Sequence, residues 1–83
     1  MKSNNPVAVI TGAARGIGKG CALELARGGF NLLINDRPDA ESVQKLKATQ
    51  QECIAEGVEV ICFPADIGDL SLHEEMLLSL IHI

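Results

Sequence analysis

The chain has no tryptophan and no tyrosine, and Phe30 and Phe63 are its only aromatic residues. A reaction that needs a phenol as its proton donor therefore cannot be carried by these residues. A basic excess is also missing: seven Lys and Arg face eleven Asp and Glu, a net charge of −4. Nucleic acid and anionic membrane surfaces both call for a basic footprint, so neither is expected as the main partner. Cys21, Cys53 and Cys62 are odd in number and lack C-x-x-C pairing, so neither a disulfide framework nor a zinc site is expected. His73 and His82 stand alone without metal-ligand spacing, and no metal site is expected. The N-terminal "MKSNNPVAV" has no signal-peptide core. The longest nearly apolar stretch, Met76 to Ile83, is too short to span a bilayer. A cytoplasmic location follows, where free thiols pack as small hydrophobes.

What the chain does have is glycine, placed unevenly. "TGAARGIGKG", Thr11 to Gly20, holds four glycines in ten residues. Val7 to Ile10 precedes it, an unbroken apolar run that reads as a buried strand. Ile17, Cys21 and Leu25 then recur at spacing four beside Ala22 and Ala26, and Gly28-Gly29 closes the segment as a helix stop. Leu32 to Ile34 reads as a second strand. A second helix is expected from about Ala40 to Glu56, with Val43, Leu46, Cys53 and Ile54 on one face, Asp39 as its N-cap and Gly57 as its stop. Val58 to Phe63 gives a third strand, Pro64 to Asp69 a loop, and Ser71-x-x-Glu74 a capping box opening a third helix.

Strand and helix alternating three times is the pattern of a parallel α/β sheet. The expected architecture is β-α-β-α-β-α in strand order 3-2-1, the N-terminal, incomplete half of a doubly wound Rossmann sheet. In that fold the first strand-to-helix turn cradles the pyrophosphate of a dinucleotide. The helix N-terminus offers unpaired N–H groups there, and side chains would be in the way. Gly12, Gly16 and Gly18 suit that role. Their spacing differs from the common G-x-G-x-x-G fingerprint. It also fails the G-x-x-x-x-G-K-[ST] phosphate loop at two positions, Ala13 and Gly20. An acid about twenty residues further on should meet the adenosine ribose. Asp36 stands there, at the end of the second strand. Taken alone, Asp36 is equally readable as a solvated loop carboxylate or a helix cap.

These residues carry a resemblance. "TGAARGIG", from Thr11 through Arg15, Ile17 and Gly18, resembles the T-G-x-x-x-G-I-G cofactor motif of the short-chain dehydrogenase/reductase family. "NDR" (Asn35 to Arg37) and "ADI" (Ala65 to Ile67) resemble its adenosine-binding positions, and by that resemblance Asp66 bonds the adenine amino group beside the Ile67 backbone. The likeness runs from Pro6 to about Leu77 and is nearest in character to 3-oxoacyl-[acyl-carrier-protein] and 3-ketoacyl reductases. It implies a homo-oligomeric, NAD(P)(H)-dependent oxidoreductase acting on a small carbonyl or alcohol substrate. It also implies a later N-N-A-G segment, a serine and a Tyr-x-x-x-Lys pair; this sequence contains no tyrosine. The alternative is a stand-alone nucleotide-binding or interaction module without catalysis. For the cofactor, Asp36 favours the free ribose of NAD(H), while Arg15 and Arg37 could pair with the 2′-phosphate of NADP(H). The expectation leans to NAD(H).

Residues 1–77 are thus read as a partial dinucleotide-binding domain, expected to be unstable and inactive as an isolated piece. The last six residues, "LSLIHI" (Leu78 to Ile83), match the in-frame translation of a transposase adapter used in sequencing libraries, CTGTCTCTTATACACATC. The native sequence is expected to end near Leu77, with residues 78–83 a non-native tail.

Overall fold

The computed structural model describes residues 5–66. The third helix expected from Ser71, Ile67 and the tail after Leu77 lie outside the described residues. Within them the order is β1 (Val7–Ile10), α1 (Gly16–Arg27), β2 (Asn31–Asp36), α2 (Ala40–Ile54) and β3 (Val60–Pro64). All three strands are parallel and adjacent in the order β1-β2-β3, which is 3-2-1 read from the other edge.

Register explains the core. Ala8 aligns with Leu32 and Val60, and Ile10 aligns with Ile34 and Cys62. Alternate residues of a strand share a face, so these six line one side of the sheet. Against them pack Ala22 and Ala26 of α1 and Leu46 and Cys53 of α2. Both crossover helices therefore cover the same face. On the other face Val7 and Val9 of the edge strand are 41% and 44% exposed, whereas the central strand is buried on both sides, Leu33 included.

The helix faces differ from the sequence expectation. In α1 the expected stripe of Ile17, Cys21 and Leu25 is displaced: Ile17 is 87% exposed, Cys21 is exposed and Leu25 is only half-buried. Ala22 and Ala26, one turn apart, take the core instead, because their small side chains let the helix lie close to its neighbours. In α2 the buried stripe is Ser42, Leu46, Thr49 and Cys53, while Ile54 is 42% exposed and Val43 half-buried. Two of those four residues are polar, so apolar spacing alone points to the wrong flank. Lys19 and Glu52 pair at 2.8 Å, tying α1 to α2 from outside the core.

The ends follow their capping chemistry. At the end of α1 the Gly29 N–H donates to Ala26 O and the Phe30 N–H to Leu25 O, a Schellman closure made possible by the φ of +90° at Gly29. Asp39 caps α2 by accepting the Ser42 N–H at 3.0 Å, and that bond holds its carboxyl below the usual carboxylate range. Gly57, φ +92°, turns the chain back toward β3, which begins at Val60 rather than Val58.

Candidate functional site

The carboxyl ends of the three strands open onto a cleft of about 470 Å³. Thr11 and Gly12 follow β1, Asn35 and Asp36 end β2 with Arg37 next, and Ala65 and Asp66 follow β3; together these seven line it. Ligands of open parallel sheets lie outside the carboxyl ends of the strands. Five of the residues singled out from sequence, Thr11, Gly12, Asp36, Arg37 and Asp66, thus converge on one cavity. Arg15, Gly16 and Gly18 belong to the adjoining loop and first turn of α1. Ile17 stands exposed on that turn, outside the cleft.

The glycine loop has the conformation its composition allows. Gly12 and Gly16 have φ of +66° and +59°, in the left-handed region, and a Cβ on either would project into open space. Gly18 is required for a different reason: a Cβ there would strike the Gly12 carbonyl, 2.7 Å from its carbon. The loop is folded back onto its own helix, closely enough to exclude even a methyl group. The first N–H groups of α1 have no intrahelical acceptor, and anions are favoured at such an end.

Other elements hold the loop from below. The Ala13 N–H donates to Asn35 O at 2.9 Å. The Ala14 N–H donates to Asp36 Oδ2 at 2.9 Å, and the Arg37 N–H to Asp36 Oδ1 at 2.8 Å. Each carboxylate oxygen keeps a further lone pair for a hydroxyl donor in the cleft. Thr49 of α2, fully buried, donates its hydroxyl to Ala13 O at 3.0 Å. The Arg15 guanidinium, rather than swinging free in solvent, donates to Ser42 Oγ at 3.0 Å.

Asn35 builds the opposite wall. Its amide donates to Phe63 O at 2.8 Å and to Ala65 O at 3.2 Å, which fixes the turn that presents Asp66. Sequence reasoning passed over Ser42 and Thr49, and took Asn35 only as part of the "NDR" segment, because buried polar residues interrupt apolar periodicity instead of marking it. Asn35 did carry a signal, being a polar residue inside a strand whose neighbours are apolar.

The thiols lie away from this chemistry. Burial pushes Cys62 up to about 11, and it raises Cys53 above the usual thiol range as well. Among the described residues no group of three His, Cys, Asp or Glu side chains could hold a metal ion, and no helix is long and apolar enough to cross a membrane.

The family model for short chain dehydrogenase matches residues 6–81. A 3-oxoacyl-[acyl-carrier-protein] reductase of Staphylococcus epidermidis is 38% identical over 73 residues, which are 88% of this chain and 29% of that protein. An alcohol dehydrogenase of the archaeon Thermococcus sibiricus, solved with 5-hydroxy-NADP, is 36% identical with a TM-score of 0.82; the match covers 95% of this chain and 32% of that one. A short chain dehydrogenase of Mycobacterium paratuberculosis, solved bound to NAD, is 26% identical with a TM-score of 0.80, covering 89% and 31% respectively. This chain spans under a third of the length of each.

Proposed function

The chain belongs to the short-chain dehydrogenase family, and on that premise we propose that it forms the adenosine- and pyrophosphate-binding part of a nicotinamide-dinucleotide-dependent oxidoreductase. The observation that carries this reading is the convergence of the glycine loop and Asp36 on one cleft, joined by the Ala14–Asp36 bond. The residues fit the group. Open space beside Gly12 and Gly16 suits phosphate oxygens, the first turn of α1 supplies N–H donors, and Asp36 has lone pairs left for ribose hydroxyls. Asp66, on the opposite wall, suits the adenine amino group, and by the family resemblance the backbone of Ile67, next in sequence, is proposed to join it.

When bound, a nicotinamide dinucleotide supplies hydride transfer. The residues of this chain bind and orient its adenosine end; with no tyrosine among them, none is assigned the proton transfer. The substrate we propose is a carbonyl or alcohol, and the Staphylococcus relative supports the 3-oxoacyl thioester class. We propose the cytoplasm as the place of work and a homo-oligomer as the working form.

Asp36 favours NAD(H), since its carboxylate would repel a 2′-phosphate. One observation favours NADP(H) instead: Ser42, near the start of α2, holds the Arg15 guanidinium in place at 3.0 Å. Titration of the full-length protein with NAD⁺, NADP⁺ and ADP-ribose tests both. Binding of ADP-ribose with NAD⁺ preferred is the expected result. Preference for NADP⁺ would overturn the choice of cofactor, and no binding of any of the three would overturn the function.

A further inference from the structure

Thr49 lies in the middle of α2, fully buried, 36 residues from the loop it touches. A threonine hydroxyl inside a helix ordinarily donates to the carbonyl four residues back, which satisfies it without consequence for the rest of the fold. That acceptor, Lys45 O, is present at 3.2 Å. Ala13 O is closer, at 3.0 Å, and belongs to the glycine loop. The hydroxyl has a single hydrogen, so the two carbonyls share it.

Ala13 is itself completely buried, so water cannot replace the donor at its carbonyl. On its other side the Ala13 N–H is fixed by Asn35 O. The peptide units flanking Ala13 are therefore clamped between the middle of α2 and the end of β2. Ala13 sits between Gly12, whose carbonyl touches Gly18, and Ala14, whose N–H meets Asp36. A rotation of the Ala13–Ala14 peptide would disturb the N–H directions of the phosphate-binding turn and loosen the Ala14 bond to Asp36, while the backbone of the strand ends stays paired in the sheet.

We propose that Thr49 is a positioning residue for the pyrophosphate site: its hydroxyl, reaching from α2 to Ala13 O, sets the glycine loop in its phosphate-binding conformation. The proposal rests on the dinucleotide reading above. It separates two halves of the ligand, because adenosine meets the walls at Asp36 and Asp66, whereas the phosphates meet the loop.

The test compares Thr49→Val, which keeps the shape and removes the hydroxyl, with Thr49→Ser, which keeps the hydroxyl and removes the methyl, in the full-length protein. Dissociation constants are measured for ADP-ribose and for adenosine, with amide hydrogen exchange of residues 12–16 alongside. Thr49→Val should weaken ADP-ribose binding about tenfold, the scale of one buried hydrogen bond, and adenosine binding by less than about twofold. Loop exchange should quicken in that variant alone, and Thr49→Ser should follow the wild type. A Thr49→Val protein that binds ADP-ribose as the wild type does, that loses adenosine in parallel, or that no longer folds overturns the proposal; so does Thr49→Ser behaving like Thr49→Val. A wild type that binds neither ligand overturns the dinucleotide reading as well, which none of the variant outcomes does.

Discussion

Asp36 and Ala14, 22 residues apart, are joined by a 2.9 Å hydrogen bond from the loop amide to the carboxylate. The acid that faces the cleft is thus also a support of the glycine loop. Substitutions at Asp36 should separate the two roles. Asp36→Asn removes the charge and keeps one oxygen for the Ala14 N–H, while the exposed Arg37 N–H turns to water. It should shift the NAD(H)-to-NADP(H) ratio of kcat/KM toward NADP(H) by about tenfold, roughly 1.4 kcal/mol, with little change in melting temperature. Asp36→Ala removes the acceptor too, and should weaken both cofactors and lower the melting temperature. An unchanged ratio in Asp36→Asn would count against the ribose role.

Two glycines of α1 should respond in opposite directions to the same change. Gly18→Ala places a methyl group against the Gly12 carbonyl and should cost about 1–3 kcal/mol of stability together with most dinucleotide affinity. Gly20, in the same helix, has open space where its Cβ would sit. Gly20→Ala should therefore stabilise by about 0.5–1 kcal/mol through helix propensity. Urea unfolding of the two variants in parallel is the check.

Asn35 should tolerate neither an apolar nor an acidic replacement. Asn35→Leu removes the amide donor that Phe63 O and Ala65 O share and should cost about 1–3 kcal/mol. Asn35→Asp turns a carboxylate toward the same two carbonyls, which raises its folded pKa above the unfolded value. Stability is then present at low pH, where a protonated carboxyl can still donate, and is lost as pH rises. Denaturation midpoints for Asn35→Asp should consequently approach those of the wild type as pH falls from 7 to about 4.5.

The cysteines give a prediction at alkaline pH. Burial holds the Cys62 thiol protonated up to about 11, while an unfolded cysteine ionises near 8.5. The native state thus keeps its proton longer than the unfolded state does. The stabilisation is complete below about pH 8.5 and is lost as pH climbs toward about 11. Cys62→Ala should flatten that part of the stability profile. In alkylation at pH 8, peptide mapping should find exposed Cys21 modified well before Cys53 or Cys62.

The parts of the site legible in the sequence are those where one residue type has no substitute. Gly12 and Gly16 adopt positive φ, and Gly18 lies against a carbonyl, so composition alone marks the loop. Asp36 is readable because a strand of known length must end beside that loop. The helix faces were not readable in the same way. Ile17 and Ile54 continue an apolar spacing but point outward, while Ser42 and Thr49 are buried through bonds to Arg15 and Ala13, 27 and 36 residues away in sequence. A periodicity of 3.6 reports on neighbours along one helix and carries no information about such partners.

The distance along the chain between the loop and its supports also bears on when the loop takes shape during folding. Besides the approach of Gly12 to Gly18, residues 12–16 are fixed by hydrogen bonds with Asn35, Asp36, Ser42 and Thr49. Contacts this far apart form only after the intervening segment has been closed into a loop, at an entropic cost incurred before any bond is made. Residues 12–16 are therefore expected to be among the last of this unit to order. They should settle once the second crossover helix has docked, so the shape of the glycine loop is a product of tertiary assembly and not of a local turn.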